Sequence, residues 1–158
     1  MPRRGPVKLR RASPDPIHAN LLVTKLINRS MKDGKKSVAT NQIYKAFDIV
    51  AAKTKKDALE IFNAAIENIR PTMEVRPRRV GGAAYQVPMP VRGARRDSLA
   101  IRWLIFAARA RGSELRTYAD KLAAEIVDAA AGEGGAVKKR ADIERMAESN
   151  RAFAHFRW

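Results

Sequence analysis

Three prolines and a glycine pair crowd the stretch from Val75 to Arg96, VRPRRVGGAAYQVPMPVRGARR, and leave it few ways to fold. Gly81-Gly82 joins two short runs, the second with apolar residues alternating at Tyr85, Val87, Met89 and Val91. Glycine takes the positive φ of a tight primed turn without steric cost, so this pattern predicts a β-hairpin. Pro77, Pro88 and Pro90 have no N–H to give to a ladder, which makes both strands edges. A lone two-stranded hairpin is marginal in water and needs a scaffold at its base or a partner along its length. Six arginines (Arg76, Arg78, Arg79, Arg92, Arg95, Arg96) and no acid lie in the stretch, so the partner expected is a polyanion.

The rest of the chain supplies the scaffold. Leu22, Leu26 and Ile27 mark a helix of roughly residues 19–31, ended by Asp33-Gly34. A second helix, about 36–53, carries Ala39, Ile43, Ala46, Phe47 and Val50 as its buried stripe. Asp57 with Glu60 reads as a capping-box start for a third, which buries Leu59, Phe62, Ile66 and Ile69 and stops at Pro71. Asp97 or Ser98 is expected to cap the fourth. Its Leu99, Ile101, Trp103, Leu104, Ile105 and Phe106 cover most of the circumference, which predicts the central, most buried helix.

Gly112 and Ser113 close this helix and cap a fifth, whose stripe is Leu115, Ala119, Leu122 and Ile126. Gly132-Glu133-Gly134-Gly135 lacks the strand before it and the Lys-Ser or Lys-Thr after it that a P-loop needs, and reads as a helix connection. A weakly periodic sixth helix, about 136–149, carries Val137, Ala141 and Met146. The fold class expected is therefore mainly α: a single domain of about six helices, with a protruding basic β-hairpin arm between helices three and four.

Domain organisation follows the charge. Residues 1–11 form a basic tail, 12–150 the helical domain with its arm at 73–91, and 151–158 a basic and aromatic tail. The closing RAFAHFRW mixes Arg151 and Arg157 with Phe153, His155, Phe156 and Trp158, a combination that suits phosphates and bases but equally suits packing on the domain or on a protein neighbour. Across 158 residues, 32 Lys and Arg face 16 Asp and Glu, a formal +16 that costs self-repulsion until a polyanion neutralises it.

Enzymatic classes fall away. Without cysteine there is no disulfide and no thiolate metal site. His18 and His155 stand far apart, so no metal centre is expected. Neither a nucleophile elbow, a Walker motif nor a dinucleotide fingerprint is present, which predicts no enzyme, no cofactor and no small-molecule substrate. No apolar segment approaches membrane-spanning length, so a cytoplasmic protein is expected. On composition alone, the alternative to an RNA-binding protein is an architectural DNA-binding protein that lays a basic hairpin arm in the minor groove.

Four segments, INRSMKDGKKS (27–37), RPRRVGGAAYQVP (76–88), LAIRWL (99–104) and RAFAHFRW (151–158), resemble the bacterial small-subunit ribosomal protein seven family, in its order and spacing along the whole chain. Ala84, Met89-Pro90 and Gly93-Ala94 depart from the family's usual arm. The resemblance implies a structural, rRNA-binding protein of the small subunit, active in translation. It would bind the 3′ major domain of 16S rRNA directly, nucleate assembly of the 30S head, lie near the exit-site tRNA and the mRNA path, and meet small-subunit proteins nine and eleven. By matching motif it places Arg3, Arg4, Lys8, Arg10, Arg11, Lys32, Lys35, Lys36, Arg76, Arg78, Arg79, Arg92, Arg95 and Arg96 toward rRNA. Arg79, Gly81, Gly82, Tyr85, Arg140 and Arg145 would face tRNA.

Overall fold

Local signals in the sequence start and stop most of the elements of the computed structural model, which describes residues 12–156 and Gly5. Helix α1 (Leu21–Ser30) begins where the Asn20 side chain accepts from the Leu22 amide at 2.7 Å. After the turn at Asp33 and Gly34, both at positive φ, α2 (Lys36–Thr54) buries Ala39, Ile43, Ala46, Phe47 and Val50, the stripe its spacing predicts. In α3 (Ala58–Ile69), Asp57 accepts from the Leu59 amide at 3.1 Å, and Phe62, Ile66 and Ile69 are buried while Leu59 is only partly covered.

Strands β1 (Met73–Val80) and β2 (Ala83–Pro90) pair antiparallel, from Met73 opposite Pro90 to Val80 opposite Ala83. Gly81 and Gly82 close them at φ 56° and 91°, the two positive values that a type I′ turn requires. The sheet has two strands, so both are edges and the prolines cost no ladder bond in its middle.

Helices α4 (Ala94–Ala110), α5 (Tyr118–Ala130) and α6 (Gly134–Ser149) follow, then a 3-10 helix over Arg151–Phe156. Three boundaries differ from the sequence reading. The α4 helix starts at Ala94, with Gly93 rather than Asp97 or Ser98 at its cap position, and α6 starts at Gly134 rather than about 136. The α5 helix is capped by Thr117, not Ser113, because a full capping box forms there. The Asp120 amide donates to the Thr117 hydroxyl at 3.2 Å, and the Thr117 amide donates to the Asp120 carboxylate at 3.2 Å. Leu115 accordingly lies in the preceding turn and is only partly buried.

Nor is α4 the sole centre. It buries Leu99, Ile101, Trp103, Leu104 and Ile105, but Phe106 is 72 % exposed. The middle of the bundle is shared with α5, which packs against α2, α3, α4 and α6. Ala119, Ala123 and Ala129 keep its sides narrow enough for that many neighbours, with Leu122 and Ile126 filling the gaps between them. On α6 the buried residues are Ala136, Val137 and Ala147, whereas Met146 points outward and Ala141 is half-covered.

One buried charge ties the far end together. Glu125, 1 % exposed, receives Arg111 Nε at 2.7 Å on one oxygen and the Ala136 amide at 2.8 Å on the other, which pins the start of α6 to α5. Burial works against the Arg111 charge, but hydrogen bonds to Asp128 and Glu125 more than offset it and raise its pKa. A Cβ on Gly134, whose φ is +91°, would stand 3.0 Å from the Glu125 oxygen.

Candidate nucleic-acid interface

The arm's base is bolted to two helices. At the root of β1, the Thr72 amide and hydroxyl donate to Glu144 of α6 at 3.1 and 2.8 Å, and the Val91 amide donates to the Thr72 carbonyl at 2.9 Å. Asp97 in the first turn of α4 receives Arg70 Nη2 at 2.8 Å and Lys25 Nζ at 3.5 Å, joining α1, the end of α3 and α4 beneath the arm. Val87 and Val91 are buried, while the tip from Gly81 to Ala84 is exposed. The marginal hairpin thus has the scaffold it needs.

Its arginines divide into two groups. Glu74, 7 % exposed, accepts Arg76 Nε at 2.6 Å and Arg95 Nε at 2.8 Å, so one carboxylate orients two guanidinium groups and neutralises one of them. Arg96 donates to the Pro71 carbonyl at 3.2 Å. Arg78, Arg79 and Arg92 make no ion pair with any described residue and remain available to an outside anion. In the ladder Arg78 stands opposite Tyr85 and Arg79 opposite Ala84; alternation places these pairs on opposite faces, so the arm presents positive charge on both sides.

The last segment returns to the arm. Tyr85 meets the rings of Phe153 and Phe156 at centroid distances of 5.1 and 5.4 Å, so these aromatics pack on their own hairpin. All three rings stay half-exposed. Sequence alone left that choice open, because nothing in the spacing of residues 85 and 153 links them.

On α6, Arg145 is exposed, but Arg140 turns inward: Nη1 donates to the Asn68 carbonyl at 2.5 Å, and Nε lies 3.7 Å from Glu144. Lys32, Lys35 and Lys36 stand exposed on the turn between α1 and α2, shaped by Lys35 N–H to the Lys32 carbonyl at 3.0 Å and Lys36 N–H to the Gly34 carbonyl at 2.9 Å. Arg3, Arg4, Lys8, Arg10 and Arg11, and at the other end Arg157 and Trp158, lie outside the described residues.

The tertiary structure adds cations that sequence reasoning missed. Arg109, Arg116 and Lys121 join Lys32 and Lys35 around a cavity of about 500 Å³. Arg109 comes from the end of α4, Arg116 from the following loop and Lys121 from α5, and no spacing rule connects them with the α1–α2 turn. Arg109 Nη2 donates to the Ser30 carbonyl at 2.9 Å and lies 5.7 Å above the Tyr118 ring. Burial pushes the Tyr118 hydroxyl above its ordinary pKa, although its bond with Ser30 and the Arg109 charge pull it back in part. Among the described residues no group of three His, Asp or Glu side chains is placed to hold a metal ion, and no helix is long and apolar enough to cross a membrane. His18 is a packing residue, its ring edge-on to Tyr44 and Phe47.

A helical body holding an anchored basic hairpin, with further cations on a separate turn, is the arrangement to set beside known proteins. Residues 2–151 match the family described as Ribosomal protein S7p/S5e. The chain belongs to that family. Its relatives include the small ribosomal subunit protein uS7 of Carboxydothermus hydrogenoformans and that of Caldicellulosiruptor saccharolyticus, each 60 % identical over 158 residues and all of both chains. The uS7 of Thermotoga petrophila is 55 % identical over 156 residues, 99 % of each chain. These S7p/S5e relatives are ribosomal proteins rather than enzymes, in accord with the lack of catalytic motifs in the sequence. Their near-complete coverage means that the arm, the cavity and the 3-10 helix all lie within the aligned length.

Proposed function

We propose that this chain is a structural, noncatalytic component of the small ribosomal subunit in the cytoplasm, and that it binds 16S rRNA through the surface described above. The observation that carries this reading is a set of cations whose side chains pair with no described residue: Arg78, Arg79 and Arg92 on the anchored arm, and Lys32, Lys35 and Lys36 on the α1–α2 turn. The hydrogen-bonded hairpin and turn beneath these cations leave chiefly the side-chain rotamers to be ordered when a phosphate is met. Arg76 and Arg95, aimed by Glu74, and Arg96 complete the arm's contact, and the tail residues Arg3, Arg4, Lys8, Arg10 and Arg11 add to it.

Charges on both faces of an arm and on a distant turn suit a junction of several RNA helices, held in one arrangement as phosphates are neutralised. Recognition is of shape, since the A-form major groove is too narrow for side chains. In finer detail, the reading takes the 3′ major domain as the binding site and head nucleation as the consequence. The arm tip (Arg79, Gly81, Gly82, Tyr85) together with the exposed Arg145 turns toward the exit-site tRNA and the mRNA path, whereas Arg140, engaged with Asn68, is left out of that contact; small-subunit proteins nine and eleven are the protein neighbours.

Filter binding of a 3′ major domain fragment across salt concentrations tests the mechanism. Six phosphate contacts give a slope of log affinity against log salt of roughly −4 to −5. A slope near zero, or a preference for duplex DNA in direct competition, would sink the reading.

A further inference from the structure

We infer that the cavity between the α1–α2 turn and the start of α5 takes one unpaired nucleotide of the bound RNA, phosphate on its rim and base on its floor. The inference rests on the RNA-binding reading and adds a base-sized site to it. The cavity holds about 500 Å³, within the range of roughly 300–1,000 Å³ typical of sites for small organic groups. Lys32, Lys35 and Arg116 are exposed on its rim, and their side chains make no hydrogen bond or ion pair with any described residue. Asp33 is the single carboxylate in the lining. The rim therefore attracts an anion.

A bare phosphate does not account for the floor. Apolar surface also lines the cavity, from Val38, 54 % exposed, with Ala39 and Tyr118. Apolar surface beneath a cationic rim matches a nucleotide, which is an anion attached to a flat, weakly polar ring. Unpaired bases in RNA are recognised in this way, by stacking and edge hydrogen bonds. Gln42 supplies an edge contact: its Oε1 accepts from the Ala119 amide at 3.2 Å, which fixes the side chain and leaves its NH₂ group to donate. The floor is rigid, since the Tyr118 hydroxyl is bonded to Ser30 Oγ at 2.9 Å and its ring lies under Arg109. Lys32 and Lys35 belong both to this rim and to the turn proposed to meet the RNA backbone, so a strand passing there need extrude only one base to fill the cavity.

The test is Val38→Trp in the full chain, which fills the floor without altering charge and replaces an exposed residue, so the fold should survive; a thermal melt checks this. With an rRNA fragment of the 3′ major domain, the expected result is an affinity loss of roughly fivefold to a hundredfold, the worth of one stacked base. The salt slope should stay unchanged, and one unpaired nucleotide should regain reactivity toward a 2′-hydroxyl acylating probe. Wild-type affinity and wild-type protection in Val38→Trp would overturn the cavity assignment while leaving the salt slope, and with it the RNA-binding reading, intact. A flat salt slope in the parent would instead remove the reading beneath it. Saturable micromolar binding of AMP without RNA would also overturn the assignment, by showing a site built for a free nucleotide.

Discussion

Replacing Glu125 by glutamine changes almost no volume, yet it should loosen the helix that supports the arm. The two carboxylate oxygens of Glu125 both accept, one from Arg111 and one from the Ala136 amide. Glutamine has one oxygen and one NH₂ group, so in either amide orientation a donor faces a donor at a site only 1 % exposed. Removing one partner of a buried ion pair costs about 3–5 kcal/mol, and losing a hydrogen bond to a charged group about 1.5–3 kcal/mol. Arg111 retains Asp128 and keeps 23 % of its side chain exposed, which favours the lower end. The expected loss is about 2–3 kcal/mol, or roughly 4–12 °C in Tm for a chain of this size. Urea or thermal denaturation reads it directly, with Asp128→Asn, at a carboxylate 44 % exposed, as the control that should cost less than about 1 kcal/mol. A melt of Glu125→Gln within about 1 °C of the parent would refute the reasoning that this carboxylate pins α6.

Alanine at Arg78 and Arg79 together should leave the melting temperature unchanged, since neither pairs with a described residue, and should make the salt slope of rRNA binding shallower by about one for each phosphate no longer neutralised; unfolding would show that the guanidinium groups support the hairpin. Asp120 is held below the ordinary carboxylate range, first by its hydrogen bonds with Thr117 and then by the Lys53 charge. Its contribution to stability is therefore present above about pH 4 and lost as pH falls through the lower folded value. An acid titration of stability should show a smaller decline below that pH in Asp120→Asn. Phe153→Ala should raise amide exchange in β2 around Tyr85 while leaving α2 and α5 protected; equal acceleration everywhere would mean that the aromatic cluster supports the whole fold rather than the arm.

The α2 stripe was legible because a regular helix shows its buried face as a period in the sequence, and the hairpin because Gly-Gly and edge prolines permit little else. Phe106 shows where that reasoning ends. Periodicity detects an apolar surface but not whether another element arrives to cover it, and among the described residues Phe106 stays 72 % exposed. The start of α5 was misplaced because Ser113 and Thr117 are both competent caps, and only the reciprocal bonds with Asp120 select between them.

The sequence by itself determined the helical class, the arm, its edge character and the excess of positive charge, since these depend on local backbone chemistry and on composition. Only the tertiary structure decided how that charge is used. It set Glu74 between two of the arm's arginines, turned Arg140 toward Asn68, folded Phe153 and Phe156 onto Tyr85, and brought Arg109, Arg116 and Lys121 to the lysines of a distant turn. The physical reason is the same in each case. A local signal specifies which conformation a segment prefers, whereas the partner of a charge or a ring is fixed by where packing brings residues far apart in the chain.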